Sequence, residues 1–248
     1  MKKNFYGSLC SLFYDLDKPA APKNEVDFYL SFAKQNYKIL EPMCGSGRVL
    51  LNFAKLNFDI EGFDISAEML SRCKQALLKT GNNNKLMQAS FKTYNSLHKF
   101  DYVFIASSSI CLLTKDDELL QALKLIYELL KKGGIFVFGI ETLQDMLKIK
   151  KEPQIRQACK DKSMVKLTID KPIFKEVNVV SYLSRYKLFE NGKLIETQEE
   201  DFFIKYHNPH EFDILLSELG FKILHKYSDY NLAVFKGHED MCLYVLTK

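Results

Sequence analysis

Several sequence features are missing from this 248-residue chain, and each absence disfavours a class of protein. No two cysteines form a C-x-x-C pair, which argues against structural zinc and thioredoxin-type chemistry. No apolar stretch approaches the length that crosses a membrane. The net charge is only +4, from 35 basic and 31 acidic residues, which is too balanced to indicate a nucleic-acid partner. We therefore expect a globular protein without a metal site, a membrane contact or a nucleic-acid partner.

The six cysteines are few and scattered, and several fall within apolar runs, as reduced and buried thiols do. The N-terminal stretch briefly resembles a secretion signal because basic residues precede an apolar run. Asp15 and Asp17 interrupt that run, however, and no small-residue cleavage site follows it. We therefore expect a cytoplasmic protein.

Hydrophobic residues make up 47% of the chain, enough for one large domain or a domain with an insertion. The segment before Pro22 is aromatic and is expected to be irregular. From "YKILEP" to "IFVFGIE", short apolar strands then alternate with amphipathic helices, which predicts a parallel sheet with helices on both faces.

Two of these helices carry predicted end signals. Ser66 is expected to cap the helix "AEMLSRCKQALLKT". The helix "DDELLQALKLIYELLKKGG" is expected to start with a capping box formed by Thr114 and Asp117, and to end at Lys131, Lys132 and Gly133.

The pattern changes between about Leu147 and Tyr206, where charged and alternating runs predict antiparallel strands. The Asn191-Gly192 pair between two such runs is a strong hairpin signal. Beyond it, "PHEFDILLSELG" predicts a helix, and "FKILHKYSDYN" and "MCLYVLTK" predict a terminal hairpin.

The stretch "ILEPMCGSGRVLLNF" joins the first predicted strand to a helix through a small-residue turn that contains Gly45 and Gly47. In open α/β sheets, ligands bind beyond the carboxyl ends of the strands, where a helix N-terminus offers free N–H groups. Asp64 ends the second predicted strand, and a carboxylate there can accept both hydroxyls of a ribose. Together these features predict a ligand that contains a nucleoside.

The turn distinguishes two nucleoside cofactors, NAD and S-adenosylmethionine. A dinucleotide site is expected to read G-x-G-x-x-G, but Leu50 stands where the third glycine would be. Glu41 precedes the turn, where a carboxylate suits the ammonium and sulfonium of S-adenosylmethionine and would repel a pyrophosphate. The turn favours S-adenosylmethionine and leaves a nicotinamide oxidoreductase as the alternative.

The segments "ILEPMCGSGRVL", "IEGFDISAEML", "FDYVFIASSS" and "LLKKGGIFVFG" together resemble the class I S-adenosylmethionine-dependent methyltransferase family. The resemblance covers about residues 37–141 and the last forty or so. It implies a Rossmann-like, doubly wound α/β fold whose mostly parallel seven-stranded sheet ends in an antiparallel strand. The segment "YGSLCSLFYDLDKP" and the β-rich insertion after the fifth strand resemble the small-molecule branch, in which such pieces cover the cofactor and shape the acceptor pocket.

The resemblance divides the chain into three parts. We expect an N-terminal lid or helical segment at 1–36 and a Rossmann-like methyltransferase core at 37–146 and 207–248. Between the two core segments, the antiparallel insertion at 147–206 would serve as an acceptor lid, as a homodimer surface, or as both.

The resemblance also implies which residues bind the cofactor. They are Glu41, Gly45 and Gly47 for the methionine end, Asp64 for the ribose, Ile65 and Met69 against the adenine, Ala89, Ser90 and Phe91 along the adenine edge, Ala106 and Ser107 beside the sulfonium, and Tyr14 closing the site. Two positions depart from the family pattern. Met43 stands where the family usually has Gly or Ala, and Ser90 stands where it often has Asp. These two departures leave weakened cofactor binding as an alternative.

The expected reaction is methyl transfer to a nitrogen or oxygen of a small molecule by in-line displacement. Such a reaction mainly requires alignment of the acceptor, and it needs a base only if the acceptor must first lose a proton. Tyr206 and His207 are weak candidates for that base, and no catalytic residue is assigned.

Two alternatives remain at this stage. A nucleic-acid methyltransferase is disfavoured because "ASSSI" stands where many base amino-group methyltransferases carry an Asn/Asp-Pro-Pro-aromatic motif, and because no basic tail is visible. A catalytically silent S-adenosylmethionine-binding protein is suggested by Met43 and Ser90.

Overall fold

The structure is a computed structural model that describes residues 6–248, so the first five residues of the predicted 1–36 segment lie outside it. Its strands are β1 (Lys38–Pro42), β2 (Asp59–Asp64), β3 (Leu86–Gln88), β4 (Phe100–Ile105), β5 (Leu130–Glu141), β6 (Gln154–Lys160), β7 (Ser163–Ile169), β8 (Ile173–Glu176), β9 (Val179–Glu190), β10 (Lys193–Lys205), β11 (Lys222–Tyr227) and β12 (Met241–Thr247). Its α-helices are α1 (Ser8–Asp17), α2 (Lys23–Leu30), α3 (Leu50–Lys55), α4 (Ala67–Lys79), α5 (Asp116–Leu129), α6 (Leu143–Leu147) and α7 (Pro209–Glu218).

Seven strands form the larger sheet, in the order β11-β12-β5-β4-β1-β2-β3. Strands β1 to β5 run parallel to one another, whereas β12 is antiparallel to both β5 and β11. This arrangement confirms the predicted doubly wound α/β fold, including the antiparallel last strand. It also confirms the terminal hairpin.

The central strands are buried on both faces, which explains their nearly continuous apolar sequences. Along β4, Tyr102 and Phe104 pack with α2, α3 and α4, whereas Val103 and Ile105 pack with α5 and α7 on the opposite face. Both faces of the sheet are therefore covered by helices, and the carboxyl ends of β1 to β4 meet at one edge.

The helix boundaries agree with the sequence at α4 and differ at α5. Ser66 caps α4 by accepting a hydrogen bond from the Met69 N–H, as predicted. The capping box of Thr114 and Asp117 is wrong, because Lys115 holds the N-cap position of α5 and no side chain caps the helix.

The predicted end of α5 is also wrong. The helix stops at Leu129, and Lys131, Lys132 and Gly133 belong to β5. Leu130 is 1% exposed and pairs with Phe100 of β4, so strand pairing and burial override the local helix propensity of the two lysines.

The expectation of an irregular segment before Pro22 is wrong as well, because α1 occupies much of it. Its first N–H groups are bonded by side chains of β10: Gly7 N–H donates to Glu200 over 2.6 Å, and Leu9 N–H donates to Gln198 over 2.7 Å. These caps come from residues about 190 positions away in the chain, so no local pattern announces them.

The second sheet is antiparallel, with strand order β10-β9-β7-β6, and β8 pairs with the free length of β9. The β9–β10 hairpin turns at Asn191 and Gly192, whose φ angles of 49° and 77° suit the predicted two-residue turn. The apolar face of α1 packs on this sheet through Leu9, Cys10 and Phe13. Among residues 6–248, no helix is both long and apolar enough to cross a membrane.

Candidate functional site

A cavity of ≈ 330 Å³ lies beyond the carboxyl ends of β1 to β4. This volume is within the usual range of small-molecule sites, about 300 to 1,000 Å³. Eleven of the twelve predicted cofactor-binding residues line it, namely Tyr14, Glu41, Gly45, Asp64, Ile65, Met69, Ala89, Ser90, Phe91, Ala106 and Ser107. The fold therefore brings together residues from four strand ends and from α1.

Gly47 is the predicted residue that does not line the cavity. Its φ of 83° is left-handed, and a Cβ there would lie 2.5 Å from the Cys73 sulfur of α4. A glycine at this position therefore permits the close approach of the turn to α4. Gly45, with φ of 54°, lies on the cavity wall, where the missing side chain leaves room for a ligand.

Met43 also adopts a left-handed conformation, with φ of 58°. This conformation costs a non-glycine residue about 1 to 2 kcal/mol. The Met43 side chain lines the cavity and packs against the core beside β4 and β5. The backbone thus explains why glycine suits this position, and the methionine narrows the cavity without blocking it.

Asp64 fixes the shape of the turn and also faces the cavity. Its Oδ2 accepts the Gly45 N–H over 2.9 Å, and its Oδ1 accepts the Ser66 N–H over 2.8 Å. Burial raises the pKa of this carboxyl, while the N–H groups of Ser66 and Gly45 oppose the rise. Each oxygen keeps a further lone pair that can accept a ligand hydroxyl.

Glu41 is 2% exposed, and its Oε2 has no hydrogen-bond partner within residues 6–248. Burial raises its pKa well above the usual range, and the nearby charge of Glu25 raises it further, whereas the Leu50 N–H and Arg48 act in the opposite direction. Leaving a buried carboxyl without a partner costs free energy. A cationic ligand in the cavity would offset that cost.

A polar cluster that the sequence did not reveal borders the same cavity. Glu25 of α2 is 3% exposed and accepts hydrogen bonds from Ser107 over 2.8 Å and from Tyr230 over 3.4 Å. Arg48 lines the cavity and reaches Glu25 over 3.4 Å and the Tyr14 hydroxyl over 3.0 Å. The position of Arg48 next to Gly47 in the turn could have indicated that it lines the site. Glu25 gave no such indication, because its segment reads as an ordinary amphipathic helix.

The chain leaves β4 through two consecutive left-handed residues, Ser107 (φ 55°) and Ser108 (φ 51°). Such strain is uncommon outside functional sites. In this conformation the Ser107 hydroxyl reaches Glu25 on α2, so the cavity wall after β4 is tied to the N-terminal helices.

Around Ser90 the wall is held by local hydrogen bonds. The Ser90 hydroxyl accepts the Lys92 N–H over 3.2 Å and lies 3.2 Å from the Thr93 hydroxyl. Phe91 contacts Phe63 edge to face, with ring centroids 5.3 Å apart. Because local groups already engage the Ser90 hydroxyl, it is a weaker acceptor for a ligand than an aspartate would be.

Several further residues line the cavity without having been predicted. They are Tyr6, Met43, Cys44, Ser46, Arg48, Val49, Phe63, Lys92, Ser109, Leu112, Leu113, Glu118 and Gln121. Seven of these thirteen side chains are apolar or aromatic, counting the Cys44 thiol, and six are polar or charged. Within residues 6–248, no group of three or more His, Cys, Asp or Glu side chains is arranged to hold a metal ion.

Tyr206 and His207 do not line this cavity. His207 is 6% exposed, and burial, aided by the charge of Lys205, lowers its pKa to about 4. The Tyr206 hydroxyl lies 3.3 Å from that of Tyr182, and burial raises its pKa. A role for either residue as a base stays a prediction.

Comparison with known proteins gives a sequence match to one domain. Residues 39–134 match a family model described as a methyltransferase domain. A Bacillus subtilis (strain 168) protein named as a methyltransferase, YqeM, is 28% identical over 105 residues, which is 42% of this chain and 42% of that protein. The chain therefore spans less than half the length of the curated relatives it matches.

Solved structures match over nearly the whole chain. The CcbJ methyltransferase from Streptomyces caelestis superposes with a TM-score of 0.79 at 18% identity, covering 100% of this chain and 99% of that chain. KedS8 from Streptoalloteichus sp. ATCC 53650, described as a sugar N-methyltransferase, has a TM-score of 0.78 at 15% identity, covering 100% and 96%. Because the identities are low, these matches show a shared fold only. That shared fold includes α1 and the second sheet, which lie outside the matched domain.

Proposed function

We propose that this chain, which carries a class I S-adenosylmethionine-dependent methyltransferase domain, transfers the methyl group of that cofactor to a small-molecule acceptor. One observation carries the proposal. Asp64 and Glu41 lie at the carboxyl ends of adjacent parallel strands and line one cavity, and the buried Oε2 of Glu41 lacks a partner in the described part of the chain. A nucleoside with a cationic amino-acid tail would supply partners for both carboxylates.

Each part of this cofactor would have a counterpart among the residues that line the cavity. Asp64 retains lone pairs for two ribose hydroxyls, and Glu41 can accept from an ammonium group. The adenine would lie among Ile65, Met69 and Phe91, whose side chains form the apolar end of the cavity. These are the roles that the family resemblance implies, and the residues concerned line the same cavity.

When bound, S-adenosylmethionine supplies an electrophilic methyl group on its sulfonium. The protein's contribution is to hold the acceptor in line with that methyl group and to exclude water. Ala106 and Ser107 form the wall where the chain leaves β4, and Ser107 is fixed in place by its bond to Glu25. This rigid wall would orient the acceptor's approach.

A small acceptor is favoured by the way the second sheet approaches the cavity. Tyr6 lines the cavity and contacts Phe202 of β10 edge to face, with ring centroids 5.3 Å apart. Tyr14 lines the cavity from α1, whose residues Leu9, Cys10 and Phe13 pack on the second sheet. The insertion and α1 would together enclose an acceptor pocket. KedS8 shares this architecture and is described as a sugar N-methyltransferase, so nitrogen is the first acceptor atom to test.

An amine acceptor needs only to be neutral and aligned, so no catalytic residue is assigned. If the acceptor is a hydroxyl, Tyr206 and His207 remain the candidates for a base. A cytoplasmic location belongs to the proposal because six free thiols suit a reducing compartment. A homodimer through the second sheet also belongs to it, supported by the exposed side chains of Ile173, Phe174 and Val177.

Methylation of a panel of small amines, amino sugars and phenols tests the proposal, with mass spectrometry detecting products that are 14 Da heavier than the acceptor (about one CH₂ unit). Transfer to at least one acceptor, lost in Asp64→Ala, is the expected result. Cofactor binding without transfer to any panel member would favour a catalytically silent binding protein, which Met43 and Ser90 motivate. Transfer to nucleic acid instead would overturn the small-molecule acceptor.

A further inference from the structure

Two side chains of β10, Gln198 and Glu200, bond the first N–H groups of the α1 segment, and we call this pair the β10 latch. Glu200 accepts the Gly7 N–H over 2.6 Å, and Gln198 accepts the Leu9 N–H over 2.7 Å. Gln198 also donates a hydrogen bond to Glu200, so the two side chains are joined to each other. Because Glu200 is 1% exposed, its bond to Gly7 is shielded from water and strengthened by the low local dielectric.

The backbone at Gly7 lies very close to the β10 latch. A Cβ at this position would lie 1.9 Å from the Gln198 Nε2 and 2.8 Å from the Glu200 Oε1, which is closer than real Cβ contacts come. A residue without a side chain is therefore needed for both latch residues to reach the backbone at this point.

The start of α1 also belongs to the cavity wall. Tyr6 precedes Gly7 and lines the cavity, and its ring contacts Phe202, which follows the latch on the same face of β10. The Tyr6 carbonyl oxygen accepts a hydrogen bond from the Ser66 hydroxyl over 3.1 Å. The Ser66 N–H in turn donates to Asp64 over 2.8 Å. A continuous set of contacts thus leads from β10 to the carboxylate that we propose for the ribose.

Other contacts hold the later turns of α1. The Tyr14 hydroxyl accepts a hydrogen bond from Arg48 over 3.0 Å, and Asp15 accepts one from Arg72 over 3.1 Å. Phe13 packs on the second sheet. Loss of the β10 latch would therefore release the first turn of α1 and the adjoining part of the cavity wall while the later turns remain attached.

We propose that the β10 latch holds the start of α1 against the cavity and thereby sets how long the cofactor stays bound. Gln198 and Glu200 do not line the cavity, so they would act as positioning residues. The inference rests on the proposed function, and it gives the second sheet a role in cofactor retention besides its proposed role at the acceptor. The apparent affinity of a ligand falls with the fraction of molecules whose site is assembled, so loss of the latch weakens binding without removing a ligand contact.

The dissociation rate of radiolabelled S-adenosylhomocysteine, measured by a chase with excess unlabelled ligand, tests the inference. We expect Glu200→Ala to raise this rate by about tenfold, the worth of one hydrogen bond to a charged group. Glu200→Gln keeps an acceptor oxygen for the Gly7 N–H, so its rate should stay within about threefold of wild type. Gly7→Ala leaves β10 intact but displaces the Gln198 amide, and it should also speed dissociation.

Glu199→Ala is the matched control. Glu199 is the neighbour of the latch residues on β10, its side chain is 55% exposed, and it bonds Arg185 over 2.6 Å. Because successive side chains of a strand point to opposite faces, Glu199 faces away from α1. The dissociation rate of Glu199→Ala should therefore equal that of wild type. Urea unfolding of every variant, run in parallel, reports any loss of stability separately from the dissociation rate.

A latch that only stabilises the fold would lower the free energy of unfolding in Glu200→Ala and leave the dissociation rate unchanged, which would overturn the inference. Equal acceleration in Glu199→Ala, or failure of Glu200→Gln to restore slow dissociation, would overturn it as well. If Glu200→Ala does not fold, Gly7→Ala decides, and dissociation at the wild-type rate contradicts the inference. These outcomes leave the proposed function intact, whereas a wild-type protein that binds no S-adenosylhomocysteine overturns both.

Discussion

Gly45 donates its backbone N–H to the Asp64 carboxylate over 2.9 Å, which joins the turn after β1 to the end of β2. The second oxygen of the same carboxylate accepts the Ser66 N–H at the start of α4. One side chain therefore organises the turn and the first residues of α4, and it also lines the cavity. The shape of the cavity that we propose for the cofactor depends on this link.

Asp64→Asn is expected to weaken binding of S-adenosylhomocysteine by about 1.5 to 3 kcal/mol, which is roughly ten- to hundredfold. The amide removes the charge and one acceptor oxygen from the ribose position. Titration calorimetry measures the loss. Asp59→Asn is the matched control, because Asp59 begins the same strand and its side chain is 67% exposed. Equal affinities of the two variants would remove Asp64 from the site.

Glu41→Gln is expected to change stability and binding in opposite directions. Because the pKa of Glu41 is raised in the folded protein, its contribution to stability is present below the unfolded pKa of about 4.5 and is lost as pH rises through the folded pKa. At pH well above that window, the neutral amide should raise the free energy of unfolding by about 1 kcal/mol. The same change should weaken S-adenosylhomocysteine binding by about tenfold or more.

Urea unfolding measures the change in the free energy of unfolding of Glu41→Gln, and calorimetry on the same preparation measures the change in its affinity. Glu61→Gln serves as the comparison, since Glu61 is also buried but pairs with Lys85 over 2.9 Å and does not line the cavity. A loss of both stability and affinity in Glu41→Gln would mean that Glu41 is an ordinary structural carboxylate.

Binding of S-adenosylhomocysteine should release a proton from Glu41. Burial favours the protonated carboxyl in the free protein, and the ligand ammonium favours the ionised form. Affinity should therefore rise with pH until the pKa of free Glu41 is passed, and the binding enthalpy should depend on the ionisation enthalpy of the buffer. Calorimetry in two buffers measures the proton count. Proton release that is unchanged in Glu41→Gln would assign the proton to another group.

His207 should make the protein sensitive to mild acid. Its folded pKa of about 4 lies below the unfolded value of 6.5, so the unfolded state binds more protons between these values. The free energy of unfolding should decline by up to about 3 kcal/mol as pH falls from 6.5 to 4. Urea unfolding across this range should show a smaller decline in His207→Gln, and an identical decline would contradict the assignment.

Ser90→Asp is expected to strengthen S-adenosylhomocysteine binding by about three- to tenfold. A carboxylate can accept from the adenine amino group more strongly than a hydroxyl already engaged by Lys92 and Thr93. The purine analogue of the ligand, in which hydrogen replaces that amino group and no N1–H is gained, provides the control in the same calorimetric experiment. Tighter binding of both ligands to Ser90→Asp would point to a general change in the loop.

Sequence patterns predicted the parts of the fold that depend on local periodicity. Alternation of strands and helices predicted the parallel sheet, the family resemblance implied its seven strands, and Ser66 marked the start of α4. The start of α1 escaped prediction because Gln198 and Glu200 cap it from a distant strand. The end of α5 escaped because Leu130 is drawn into strand pairing with Phe100.

Most of the site residues that the family resemblance implied lie at or just after strand ends, which meet at one edge of a parallel sheet whatever their separation in sequence. Ten of them share the cavity wall for that reason, and Tyr14 joins them from α1. Glu25 and Arg48 could not be paired in advance, because their contact depends on how α2 docks against the turn. Packing between distant segments thus decides the part of the site that local motifs leave open.

Titration of the wild-type protein with S-adenosylhomocysteine tests the central claim most directly. The account predicts saturable binding to one site per chain, with a dissociation constant in the micromolar range or tighter, about −8 kcal/mol or stronger. That binding should fall by about tenfold or more in Asp64→Asn and remain unchanged in Asp59→Asn. No binding at high micromolar concentration by the folded protein would contradict the account.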